Sequence, residues 1–171
     1  YIDQRANLNM ALEIAENSKV HRPGVCNALE TLLVHRHIAP KILPALVERL
    51  AQKNVDVRGC AASRALVPSL SSASDADWDT EFLDLVLAVK IVDHFEAALE
   101  HIDLHGTEHT AAIVTEDQDC AQRFLEQANA SCVLVNASTR FNDGGELGLG
   151  AEMGISTTRI HAYGPMGIEA L

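Results

Sequence analysis

Four cysteines, Cys26, Cys60, Cys120 and Cys132, are the side chains in this sequence best suited to nucleophilic chemistry. A nucleophilic cysteine must be partly exposed and must sit where its thiolate is stabilised. Cys132 opens an apolar run and Cys120 falls in a helical pattern, so both read as small core residues. Cys60 closes a strand-like segment beside Ala61 and Ala62. Only Cys26 follows a Pro-Gly turn, Pro23-Gly24, that leads into new structure. Backbone N–H groups there can face both a thiolate and a developing oxyanion. On residue type alone, a buried core thiol stays open as the more ordinary reading of Cys26.

A second constellation is Asn136-Ala137-Ser138-Thr139-Arg140-Phe141-Asn142-Asp143-Gly144-Gly145. Following a parallel strand, such a loop is expected on the carboxyl edge of the sheet, where α/β proteins bind ligands. Arg140 carries a planar donor fork suited to phosphate or carboxylate, and Ser138 and Thr139 add hydroxyls. An ordinary turn with a solvated Arg is the alternative. The run from Gly148 to Gly154 has the wrong spacing for a dinucleotide fingerprint and is read as close backbone packing. His101, His105 and His109 have helical spacing, but Gly106 interrupts the helix, so a solvated helix end is favoured over a metal site. His35 and His37 are read as surface residues, and no metal is expected.

These residues must be held by an alternation of helices and strands. Leu8, Ala11, Leu12 and Ala15 predict a helix over 8–18, and Ile42, Leu43, Leu46, Val47 and Leu50 predict another that begins at Pro40. Apolar runs at 30–35, 55–59, 85–92, 111–115 and 132–136 predict strands. Amphipathic stretches at 95–105 and 119–128 predict two further helices, the first ending at Gly106. The Ser-rich segment 68–79 reads as a surface connection. Tyr1-Ile2-Asp3 reads as a strand cut mid-stream, with chain expected upstream. Strands alternating with helices imply an α/β fold, a mostly parallel sheet with helices on both faces.

The 171 residues suffice for one domain with a sizeable core. Hydrophobic residues make up 47% and charged residues 22%, as in an ordinary globular protein, and no apolar run is long enough to span a membrane. A net charge of −11 repels phosphate backbones and argues against nucleic acid as a partner. The cysteines form no CxxC pair, which fits reduced thiols and a cytoplasmic location.

The segment Arg22-Pro23-Gly24-Val25-Cys26-Asn27-Ala28-Leu29-Glu30-Thr31-Leu32-Leu33-Val34-His35 resembles the catalytic-cysteine segment of the gamma-glutamyl phosphate reductase family, within the aldehyde dehydrogenase superfamily. Val135 to Phe141 with Asp143-Gly144-Gly145, then Gly148 to Glu152, then Gly164-Pro165-Met166-Gly167 resemble the family's second long signature, and the resemblance runs from residue 1 to residue 171. It implies that residues 1–171 form the cysteine-bearing catalytic domain, with the dinucleotide-binding domain expected upstream. It makes Cys26 the nucleophile and Glu81, in Asp79-Thr80-Glu81-Phe82-Leu83, the contact to the nicotinamide ribose. Leu83 departs from the Phe that relatives across the superfamily carry there. The implied activity is NADPH-dependent reduction of L-glutamyl 5-phosphate to L-glutamate 5-semialdehyde, the second step of proline biosynthesis. Ser138, Thr139 and Arg140 would then bind a substrate anion. A homo-oligomer and functional coupling to glutamate 5-kinase are further implications, as is inactivity of these residues in isolation. The alternatives are another aldehyde dehydrogenase oxidising a free aldehyde, or a non-catalytic binding module.

Overall fold

Alternating apolar side chains decide which face of each strand is covered by which helix. In the computed structural model, which describes residues 1–170, β1 (Thr31–His35) turns Leu32 and Val34 to one side and Leu33 to the other. Leu32 and Val34 pack with α1 (Leu8–Val20) and α2 (Ala39–Ala51), through Ala11, Ala15, Ile42, Leu43 and Leu46. Leu33 packs with α4 (Phe95–His105) and α5 (Gln118–Gln127), through Phe95, Ala98 and Phe124. The result is an α/β fold with helices on both faces of the sheet.

The helix ends follow ordinary capping chemistry. Asn7 accepts the Met10 N–H at the start of α1, and Asp117 accepts the N–H groups of Asp119 and Cys120 at the start of α5. Pro40 stands in the first turn of α2, where a missing N–H is harmless.

Four parallel strands lie in the order β1, β4 (Val86–Val92), β2 (Asp56–Gly59), β3 (Ser71–Ser72). A second parallel pair joins β5 (Thr110–Ile113) to β6 (Cys132–Val135). Ile2 stitches the two sheets by bridging Val34 on one side and Val114 on the other, both parallel. Its N–H donates to the Leu33 carbonyl at 2.8 Å, and its own carbonyl accepts the His35 N–H at 2.9 Å. Tyr1-Ile2-Asp3 is thus strand-like, hydrogen-bonded on both edges. β7 (Gly154–Ser156) and β8 (Gly164–Met166) form a separate antiparallel hairpin near the end of the chain.

Several expectations need correction. The Ser-rich segment 68–79 is more than a connection: it supplies edge strand β3 and a 3-10 turn over Asp75–Asp79, because Ser74 and Asp77 cap each other. Between β2 and β3 lies α3 (Ala61–Leu66), a short helix without apolar periodicity to announce it. His35 is buried, at 5% exposure, because its position on β1 turns it inward, while His37 is exposed. Gly148 and Gly150 make no close packing contact. Each has a left-handed backbone (φ 75° and 76°) and open space where a Cβ would stand. The requirement there is conformational.

Candidate active site

The amino ends of the parallel strands hold the site. Cys26 precedes β1, Glu81 precedes β4 and His109 precedes β5, and parallel strands bring all three to one edge. Thr31 on β1 and Thr110 on β5 line the two sides of a cleft of about 180 Å³, to which Tyr1 and Ile2 also contribute. Cys26, Asn27, Glu30, Glu81, His109 and Thr139 also line it. This overturns the expected carboxyl-edge location. The loop after β6 does begin at the carboxyl edge, where the Asn136 side chain bonds both the N–H and the carbonyl of Thr115. It then crosses to the amino edge, where Asn142 donates to Thr110 Oγ1 at 2.8 Å.

Cys26 is exposed, whereas Cys60, Cys120 and Cys132 are half-buried. Partial burial pushes the Cys26 thiol above its ordinary range, and the nearby acids Glu152 and Glu81 push the same way. The N–H groups of Cys26 itself and of Asn27 face the sulfur and pull it down without reversing the sum. Asn27 is buried and locks the cysteine loop to the crossing loop: its Nδ2 donates to the Asn142 carbonyl at 2.9 Å, and its Oδ1 accepts from the Arg140 guanidinium.

The three residues proposed to hold an anion are placed differently from one another. Ser138 is buried at the start of a 3-10 turn, 3.0 Å from the Ser18 hydroxyl and accepting the Arg140 N–H. Thr139 lines the cleft, with its N–H directed to Ser18 and a buried hydroxyl without a partner among the described residues. Arg140 is not a free solvated fork. Besides Asn27, its Nε donates to His21 Nδ1 at 3.4 Å.

Glu81 is exposed at the cleft wall and rides on an anchored segment. Asp79 meets His105 at 2.7 Å, Asp77 takes the Arg58 guanidinium at 2.7 Å, and the Phe82 ring lies beneath Arg58 at 5.3 Å. Behind it, Lys19 is fully buried and pairs with Glu30 at 2.9 Å. Burial pushes the Glu30 carboxyl up, while Lys19 and the N–H groups of Phe82 and Leu83 draw it back in part.

The histidines differ from expectation. His101 and His109 are 6% and 8% exposed, and both line the cleft, as does His105. The three are not a solvated helix end, because the end of α4 packs against Trp78 and the cleft. Among the described residues, no group of three or more acidic, histidine or cysteine side chains is placed to hold a metal ion. Sequence reasoning missed Asn27, Glu30 and Glu152. Asn27 and Glu30 stood inside the cysteine segment and Glu152, which accepts the Gly144 N–H at 2.7 Å, inside the second signature, but none was given a role there.

No family model matches the chain. Gamma-glutamyl phosphate reductase of Halothermothrix orenii is 54% identical to it over 171 residues, all of this chain and 41% of that protein. The crystal structure of gamma-glutamyl phosphate reductase from Thermotoga maritima superposes with a TM-score of 0.97 at 47% identity, over 99% of this chain and 41% of that one. An acetylating aldehyde dehydrogenase from Geobacillus thermoglucosidasius, 21% identical over 85% of this chain and 41% of its own with a TM-score of 0.64, shares the fold alone. The chain thus spans 41% of the length of the curated relatives it matches. Along that segment, by sequence and by fold, it belongs to the gamma-glutamyl phosphate reductase family.

Proposed function

We propose that this chain supplies the nucleophile and acyl site for NADPH-dependent reduction of L-glutamyl 5-phosphate to L-glutamate 5-semialdehyde with release of phosphate. The observation that carries this reading is an exposed Cys26 on the cleft wall of a chain 54% identical, over its whole length, to a gamma-glutamyl phosphate reductase. The Cys26 thiolate attacks the acyl carbon, a C–S bond forms, and the bond to the phosphate oxygen breaks with its electron pair leaving on phosphate. NADPH, when bound, supplies the hydride that reduces the thioester. The hemithioacetal oxygen then re-forms a carbonyl, the C–S bond breaks, and the aldehyde leaves a free thiolate.

The residues present fit these tasks. The N–H groups of Cys26 and Asn27 offset part of the desolvation of the thiolate. Glu81, an exposed carboxylate on an anchored segment, is suited to accept ribose hydroxyl protons. Thr139 lines the cleft, and Arg140 retains guanidinium donors beyond those given to Asn27 and His21. In this reading residues 1–171 are the cysteine-bearing catalytic domain of a longer cytoplasmic protein. Its dinucleotide-binding domain lies elsewhere, so the segment alone is inactive. Homo-oligomeric assembly and coupling to glutamate 5-kinase belong to the same proposal.

The test is Cys26→Ser in the whole protein. Turnover of glutamate 5-semialdehyde with NADP and inorganic phosphate, the reverse direction, is expected to fall roughly a thousandfold or more. Near-normal turnover sinks the assignment.

A further inference from the structure

We infer that Arg58 is a positioning residue for the cofactor site, gripping the chain on both sides of Glu81 and so fixing where that carboxylate meets the nicotinamide ribose; this rests on the function proposed above. Among the described residues, Glu81, Phe82 and Leu83 make no backbone–backbone hydrogen bond. Leu83 also has a left-handed backbone (φ 54°), which a leucine does not adopt by local preference. Side chains must therefore impose the shape of this segment. Glu30 draws the N–H groups of Phe82 and Leu83, and Asp79 meets His105, but each of these acts on one side of Glu81. Arg58 reaches both.

Arg58 stands on β2, opposite Ala88 of β4, so the parallel sheet fixes its backbone. Its Nη1 donates to Asp77 Oδ1 at 2.7 Å, ahead of Glu81 in the chain. Its guanidinium carbon lies 5.3 Å from the ring centre of Phe82, the residue after Glu81. Its Nε donates to Asp56 Oδ2 at 3.1 Å, a neighbour on the same strand that orients the fork. The other Asp77 oxygen accepts the Ser74 N–H at 2.7 Å and the Ser74 hydroxyl at 3.0 Å, so that carboxylate is held from both ends. Ser74 first, and Arg58 after it, keep the Asp77 carboxyl below its ordinary range, so the pair stays charged near neutrality. A planar guanidinium can bond two carboxylates and lie against a ring at once, which a lysine ammonium cannot.

Glu81→Gln and Arg58→Met, singly and together in the whole protein, test this through NADP binding without turnover and through the KM values of the reverse reaction. Glu81→Gln should weaken NADP binding about ten- to a hundredfold, the range for a hydrogen bond to a charged group. Arg58→Met should weaken it at least about threefold, the lower end of coupling between linked residues. The KM values for glutamate 5-semialdehyde and phosphate should stay near those of the parent. In the double variant the Arg58 change should cost nothing further, because Arg58 acts through Glu81. Arg58→Lys should show a smaller loss with the same selectivity, and it carries the test if the methionine variant does not fold. A folded Arg58 variant that binds NADP as the parent does overturns the inference. So does a loss that is equal with and without Glu81, or one spread over every KM, as a merely structural role would give. If Glu81→Gln leaves NADP affinity unchanged, the ribose assignment falls and the inference with it, whereas Cys26→Ser tests the acyl chemistry separately.

Discussion

His101 shows what burial does to a single titratable group. It lies between the Lys90 ammonium, 3.1 Å from its Nδ1, and His105, with the Trp78 ring edge-on and Asp79 as the one nearby acid. Burial first, then the two like charges, push its pKa down to about 4, and Asp79 only partly opposes them. In the unfolded chain it titrates near 6.5. Below 6.5 the unfolded state gains a proton that the folded state refuses, so stability falls as pH drops from 6.5 toward 4. The loss is about 3 kcal/mol, from the width of that window. Urea titrations at pH 7 and pH 4 should show it, and His101→Gln should flatten the difference. An equal acid loss in the variant would assign the effect to other groups.

Between elements, the buried pair Lys19 and Glu30 ties α1 to the entrance of β1, and Phe82 and Leu83 approach the same carboxylate from the Glu81 segment. Removing one partner strands the other. Lys19→Met should cost about 3–5 kcal/mol, and adding Glu30→Leu should restore most of it. A double variant no more stable than the single one, by denaturant titration, would refute the pairing argument. The longer elements were legible because burial imposes period: α4 matches its predicted span, and α1, α2 and most strands differ by one or two residues at their ends. What escaped was held by polar contacts that carry no period. The turn over Asp75–Asp79 depends on Ser74 and Asp77, and α3 is capped by Cys60, whose sulfur accepts the Ser63 N–H. At the site, the Pro23-Gly24 turn singled out Cys26 but left a buried thiol open, and its exposure agrees with the turn. The return of the loop after β6 was not legible, because it rests on tertiary hydrogen bonds from Asn27 and Asn142.

Among the described residues, Tyr1-Ile2-Asp3 join the two sheets, with Ile2 at the centre. Ile2 is 1% exposed and bridges Val34, at the end of β1, to Val114, just after β5. Ile2→Ala should destabilise by about 2–5 kcal/mol. It should also speed hydrogen exchange at the amides of His35 and Val114, which bond to the carbonyls of Ile2 and Tyr1. A loss below about 1 kcal/mol would mean that the two sheets hold together by other means.

The amino-edge location of the cleft divides the surface into two territories. The connections leaving the strands, such as Arg36-His37 after β1 and Asp93-His94 after β4, are exposed and face away from Cys26, Glu81 and His109. They are the places to attach a fluorophore, an affinity tag or a fused reporter. The chain entering β1, β4 and β5 leaves no comparable freedom, since lengthening it by one residue would displace a side chain that lines the cleft.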